Sequence, residues 1–448
     1  MAQAATTELS PERWRRTSTL DEVSLYSTCG LLLFGPLAFG ATEPWAIFIL
    51  EAGSAILFFL WAFRRAQSGE LQLSGNPLFA PMLVFAAVIV AQLWTGRSAY
   101  RYQTISNLRL YCAYAVLAFL VVQLLRRTSQ IQKLARIFSI YGSALAVFAL
   151  IQSMTSDGKL YWIFTPGFGG WIYGPYVNHN HYAGLMELLV PIPLVLSLND
   201  RVHSGGRRLA LVAAALMASS IFLSGSRGGM AAFTVEIVIL GGFVLRRDRL
   251  KMKRPVMAMG LFAVILMALL AWLGGGEVMQ RIATIHEETQ TELSGGTRLD
   301  IDRDALKMFL QKPVLGWGLG VFADVYPEFR SFSTNFTINA AHNDYLQLLV
   351  ETGALGFMIM LWFVLAMYRA AVRKLSNWTS DINGALALAA MLGCTGILIH
   401  SLVDFNLQVP ANAAMFYVLA AVAAMEPRFG RGHHRPSHYV GQATRLSA

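Results

Sequence analysis

The chain has 448 residues, of which 55% are hydrophobic and 14% charged. Soluble globular proteins carry about 25% charged residues, and no stretch here is long and polar enough to form a soluble domain. The formal charge of +10 does not call for a nucleic-acid partner, because Lys and Arg collect in the cytoplasmic loops of membrane proteins.

A cytoplasmic N-tail, residues 1–22, carries Arg13, Arg15 and Arg16. The apolar run that begins near Val23 is too long for a signal-peptide core and lacks a cleavage site, so it reads as a first span. Apolar runs of roughly 17 to 22 residues, the length that crosses a bilayer, then recur to the end of the chain. They predict an all-α integral membrane protein with about twelve transmembrane helices, at 23–40, 45–63, 77–95, 108–125, 134–153, 182–198, 207–223, 229–245, 255–274, 343–368, 384–403 and 409–425. Pro191 and Pro193 should kink the sixth span. Cys29, Cys112 and Cys394 lie inside apolar runs, so neither a disulfide framework nor a metal cluster is suggested. No internal repeat is visible, which weakens the transporter architectures built on repeats.

Lys and Arg concentrate in the segments that share a side with the N-terminus, six of them between Arg246 and Arg254. By the positive-inside rule both termini are then cytoplasmic, and the segments 154–181, 224–228, 274–342 and 404–408 face outward. The domain reading is thus an N-tail at 1–22, nine helices at 23–273, a large outer loop at 274–342 with short helices, three helices at 343–425 and a basic tail at 426–448. The tail histidines His433 and His434 read as a solvated or lipid-facing run, with metal binding as the alternative.

The outer loop is the one long polar stretch, with Glu277, Arg281, His286, Glu287 and Glu288. It reads as a lid over a site at the membrane surface. It closes on Ala341-His342-Asn343-Asp344-Tyr345. Asn343 or Asp344 suits a helix N-cap, and a histidine beside a helix N-terminus suits a general base. The alternative is a histidine that bridges loop and helix. Arg227 lies in Ser224-Gly225-Ser226-Arg227-Gly228-Gly229, where flanking glycines let backbone N–H groups approach a phosphate that the guanidinium forks. A lipid-headgroup anchor is the alternative. Arg298 follows Gly295-Gly296-Thr297 and opens an amphipathic stretch, Ala305 to Leu310, that reads as a short helix along the membrane face or against the bundle. It meets either an anion or a nearby Asp300 or Asp302. Gly316-Trp317-Gly318-Leu319-Gly320 reads as a close-packed turn, since nothing around it fits a nucleotide loop.

The second outer loop ends in Asn178-His179-Asn180-His181-Tyr182. No third ligand stands at motif distance, so polar contacts to a sugar or phosphate fit better than a metal. Trp162, Trp171, Tyr173 and Tyr176 are either stacking surfaces or an interfacial belt. Among the ionisable residues in spans, Glu51, Glu187, Glu236 and Glu351 stand out, with His400 and Asp404 near the end of the eleventh. Glu187 and Glu351 are placed to hold Arg227 or Arg298. A scattered set of carboxylates also fits a proton path.

Together, Ser-Gly-Ser-Arg-Gly-Gly after a span, Gly-Gly-Thr-Arg early in the outer loop, Gly-Trp-Gly-Leu-Gly within it, and His342-Asn-Asp-Tyr-Leu-Gln-Leu-Leu-Val-Glu351-Thr-Gly353 at its close resemble the O-antigen ligase and polymerase superfamily. The resemblance covers about residues 180–405 by motif. It implies a GT-C-like, metal-independent, inverting membrane glycosyltransferase without cofactor. Such an enzyme takes a glycan from undecaprenyl pyrophosphate on the periplasmic side of the inner membrane and passes it to lipid A–core or another glycan acceptor. By motif, Arg227 and Arg298 match the family's pyrophosphate-binding arginines and His342 its catalytic histidine. Asn178, His179, Asn180, His181, Ser226, Asn343 and Tyr345 are then expected to contact substrate. The resemblance leaves ligase or polymerase open. From other classes, a lipid-linked oligosaccharide transporter or a non-catalytic assembly factor stays as the alternative.

Overall fold

The computed structural model describes residues 19–69, 73–165, 171–246, 249–274, 295–334 and 337–426. The expectations for Glu277, Arg281, His286, Glu287, Glu288, His433 and His434 lie outside them. The described chain is helical, with two isolated β-bridges, Leu160 with Phe164 and Tyr173 with Tyr176, in the loop before the sixth span.

Ten helices precede the large loop: α1 Thr19–Leu37, α2 Pro44–Ser68, α3 Phe79–Trp94, α4 Arg101–Leu124, α5 Thr128–Thr155, α6 His179–Leu189, α7 Pro191–Leu198, α8 Ser204–Ser224, α9 Arg227–Leu245 and α10 Arg249–Gly274. The loop holds α11 Gly295–Gln311 and the single turn α12 Phe322–Val325. After it come α13 Asp344–Val372, α14 Ile382–His400 and α15 Pro410–Ala424. The ends follow local chemistry. Gly69 and Gly225 close α2 and α8 in the left-handed conformation, and the Asp381 side chain caps α14 by accepting from Asn383 N and Gly384 N.

Nine helices among the described residues are long and apolar enough to cross a membrane, where twelve spans were expected. The chain is therefore a multi-pass helical membrane protein, and nine of the twelve expected spans meet that length and apolarity among the described residues. The other three expected spans fall on α1, whose first turn carries Asp21 and Glu22, and on α3 and α15, which have 16 and 15 residues. At about 1.5 Å per residue the last two fall short of a bilayer core of about 30 Å. The sixth span runs from α6 through Val190, which keeps helical φ and ψ, into α7 at Pro191.

Every residue of α6 and α7 is buried, including His179, Asn180, His181 and Glu187 of α6. Alongside lies α14, which packs on α6, α7, α9 and α15. Its small residues permit the approach: a methyl group at Gly393 would stand 2.8 Å from the Leu188 carbonyl.

α13 is two helices joined at Gly353, where φ is 66° and ψ −174°. The break frees carbonyls at Val350 and Glu351, which accept from Trp317 N and Gly318 N, each at 2.9 Å. Beyond it, Ala354 N donates to Pro313 O at 2.8 Å. The turn at 316–320 therefore pairs with a broken helix, which answers the demand that freed backbone groups find partners. The Glu351 carboxylate completes the joint by accepting from Gly320 N at 2.7 Å. Around this joint Ile301, Ala305 and Met308 of α11 pack with Val321, Phe322 and Val350 into a second apolar core.

A side chain at Gly353 would meet the Val314 carbonyl at 2.3 Å, in a conformation that L-residues avoid. Gly353→Ala is expected to lower stability by about 2 kcal/mol or more, seen as a fall in the thermal unfolding midpoint of the detergent-solubilised protein. An unchanged midpoint would show that the joint is not rigid.

Candidate active site

The candidate residues meet at the end of α14, in residues 400–405. The joint begins at the start of α13. Asn343 caps that helix by accepting from Tyr345 N at 3.1 Å and Leu346 N at 3.2 Å. Asp344, buried in its first turn, accepts from Ser401 Oγ at 2.7 Å, Leu407 N at 3.0 Å and Gln408 Nε2 at 3.2 Å. Its own N–H donates to Ser401 O at 3.0 Å. These bonds fasten the segment 401–408 to the residue after Asn343.

His342 therefore faces Asp404. Its Nδ1 stands 3.7 Å from Asp404 Oδ1, and His181 Nε2 reaches the same oxygen at 3.8 Å. Both distances exceed hydrogen-bond range, so the coupling is electrostatic. The next residue, Phe405, takes both imidazoles edge to face, with centroids 4.6 Å from His181 and 4.8 Å from His342. The His342 backbone is left-handed, with φ at +53°. Non-glycine residues adopt that conformation at a cost of order 1–3 kcal/mol, sustained here by the cap and the clamp on either side. The side chain keeps 16% of its surface exposed, whereas Asp404 keeps 1%.

Arg298 reaches the same turn, and the helix start that carries Arg227 rests on it. Arg298, in the first turn of α11, donates from Nη1 to the Val403 carbonyl at 3.1 Å. Arg227 opens α9 and is exposed. Ser226 caps that helix by accepting from Gly229 N at 3.1 Å. A methyl group at Gly228 would lie 2.5 Å from His400 Cδ2 and 3.1 Å from Val403 Cγ2, so the Arg227 turn rests directly on the end of α14.

Charges at this face are uneven. Burial alone would push the Asp404 carboxyl up. The His342 side chain, then the fields of His181 and His400, outweigh burial and hold the carboxyl well below the usual carboxylate range. Asp302, one turn along α11 from Arg298, is half-buried. Burial raises its pKa, and the fields of His342 and Arg298 oppose the rise without reversing it.

Other expectations resolve differently. Asn178 caps α6, its Oδ1 accepting from Asn180 N at 2.8 Å, and Asn180 is buried beside it. Asn178, Ser226 and Asn343, expected to contact substrate, each use a side-chain oxygen to cap a helix N-terminus. Tyr345 donates its hydroxyl to Leu398 O at 2.7 Å. His179 stacks on Trp171 and bonds through Nδ1 to Ser224 O at 2.9 Å, so His179 and His181 turn to different partners. Among the described residues, no three or more His, Cys, Asp or Glu are arranged to hold a metal ion. Tyr173 and Tyr176 are buried and offer no stacking face, whereas Trp162 is exposed.

Glu187 and Glu351 do not hold the arginines. Glu187 pairs with His400 at 2.8 Å, and Glu351 serves the 316–320 turn. Glu51 lies near Arg109 of α4 at 3.7 Å, while Glu187 and Glu236 both border Gly396. The carboxylates of the transporter reading are therefore divided between separate helix groups. Sequence reasoning did not attach Asp404, Val403, Phe405 or His400 to His342. Their signal was the run of ionisable residues at the end of an apolar helix.

Residues 212–361 match the family model described as O-antigen ligase. The resemblance read from the motifs is shown for that stretch. It includes Arg227, Arg298 and His342 and stops before His400 and Asp404; His181 and Glu187 precede it. Comparison with curated proteins gives no match.

Because the Asp404 carboxyl is held below its unfolded value of about 3.9, its contribution to stability is present above that pH. It is lost as pH falls through the lowered value. Asp404→Asn should therefore cost on the order of 2 kcal/mol, and no less at pH 5 than at pH 7. Thermal unfolding of both proteins at the two pH values checks this, and a gap that closes at pH 5 contradicts it.

Proposed function

We propose that this O-antigen-ligase-family chain is a membrane glycosyltransferase that moves a glycan from undecaprenyl pyrophosphate to an acceptor hydroxyl. The observation that carries the reading is that His342, Arg298 and the helix start that bears Arg227, far apart in sequence, all adjoin the turn 400–405. Arg227 and Arg298 bind the donor pyrophosphate and stabilise its charge as it leaves. His342, with Nδ1 toward Asp404, takes the acceptor proton at Nε2. The acceptor oxygen forms the new bond to the anomeric carbon from the face opposite the leaving group. The old carbon–oxygen bond breaks, and the electron pair departs with the pyrophosphate. The outcome is inversion. Asp404 orients the imidazole and stabilises the imidazolium that forms. This step requires no cofactor or metal.

A lipid-linked substrate suits the surroundings. A largely apolar cavity of about 350 Å³ adjoins the Asp344–Ser401 clamp, lined by Leu348, Phe357, Leu361, Leu398 and Phe416. The concentration of Lys and Arg on the opposite side supports a site on the periplasmic face of the inner membrane, with the loop 274–342 outside and both tails inside. The acceptor class, lipid A–core or a second lipid-linked glycan, follows from the same experiment as the activity.

Purified protein given a lipid-pyrophosphate glycan and either acceptor should elongate one of them. Arg227→Ala, Arg298→Ala and His342→Ala should each lower transfer by roughly 10²- to 10⁴-fold, with the protein inserted at wild-type levels. Wild-type transfer in all three variants would overturn the assignment.

A further inference from the structure

Beneath the Arg227 turn lies a buried acid–imidazole pair that the reaction above does not use. His400 Nδ1 stands 2.8 Å from Glu187 Oε1, and the two side chains are 1% and 0% exposed. Burying such polar groups is costly even when they bond each other, and well-packed apolar residues often serve stability as well or better. Packing alone therefore gives a weak account of it.

The pair's other neighbours give a stronger one. The glycines that follow Arg227 lie against it with no side chain between. A methyl at Gly228 would come 2.6 Å from His400 Nε2, and one at Gly229 would come 3.1 Å from Glu187 Oε1 and 2.7 Å from the Ala183 side chain. From the other directions the turn is held by the Ser226 cap and by His179 on the Ser224 carbonyl. The first turn of α9 thus sits between a cap above and an acid–imidazole floor below. That floor also ends in Val403 and Asp404, which meet Arg298 and His342.

We infer that the buried Glu187–His400 pair is a positioning device for Arg227, setting where the first turn of α9 presents its guanidinium to the donor phosphate. Glu187 and His400 touch no reacting atom in this scheme. They act through the backbone of residues 227–229. The inference rests on the reading of Arg227 as a phosphate-binding residue.

The test uses the full-length protein in detergent, with a short prenyl pyrophosphate as the binding probe and glycan transfer as the second readout. Glu187→Ala should weaken probe binding and raise the donor KM about tenfold or more, with the acceptor KM within about twofold of wild type. A variant that merely folded less well would lower the active fraction and leave KM unchanged. In an Arg227→Ala background the same substitution should add little, because the two residues act on one contact. Gly228→Ala, which moves the turn without removing a charge, should reproduce the donor effect. Glu187→Gln, which keeps a side chain able to bond His400, should recover part of it. These two variants carry the test if Glu187→Ala does not fold. Wild-type binding and donor KM in the folded variants, or losses that multiply in the double variant, would overturn the inference while leaving the role of Arg227 standing. Failure of the wild-type protein both to bind the probe and to transfer glycan would overturn the functional reading and this inference with it.

Discussion

The Asp344 carboxylate ties two helix termini together, and the candidate site hangs on that knot. A helix end leaves carbonyls and amides without partners, and here two such ends meet at α13 and α14. Asp344 takes the amide of Leu407 and the hydroxyl of Ser401, while the Ser401 carbonyl takes its own amide. A buried acid is tolerable when its oxygens are so filled. Once the knot is made, residues 400–405 have one place to be, and each presents something different. His400 supports the glycines after Arg227, the Val403 carbonyl receives Arg298, Asp404 faces two imidazoles, and Phe405 packs against both.

A second constraint acts about two and a half helix turns further along. α13 cannot run straight through Gly353, and the groups it releases are taken up by the 313–318 segment. The same break places Glu351 where it holds Gly320, and through Gln347 it reaches back to Ala341, beside His342. The motif from His342 to Gly353 is thus legible residue by residue. It comprises the imidazole, a cap, a clamp, a relay to the loop and a break that receives the loop.

Much of this was visible in the sequence and some was not. Long apolar runs located the helices, because lipid permits few other backbones, but short elements such as α3 and α15 were counted as full spans. Asn343 as a cap followed from local rules. The three central residues followed from motif resemblance. What escaped were pairings across the bundle. Glu187 was assigned to an arginine and pairs with His400, 213 positions away in sequence. Nothing in periodicity encodes which helices are neighbours, so a buried acid announces that it has a partner without saying which.

The docking of the loop into the break of α13 bears on how substrates arrive. The loop reads from sequence as a lid, yet its backbone at Trp317 and Gly318 is hydrogen-bonded into a transmembrane helix, and the Trp317 carbonyl receives Ala99 N from the α3–α4 connection. Lifting this part of the loop would expose several buried backbone groups at once, in surroundings poor in water to replace them. The arm behaves as a fixed wall, and Arg298, near its outer end, has a defined place before any substrate is present. On the glycosyltransferase reading proposed above, this wall stays in place while substrates come and go.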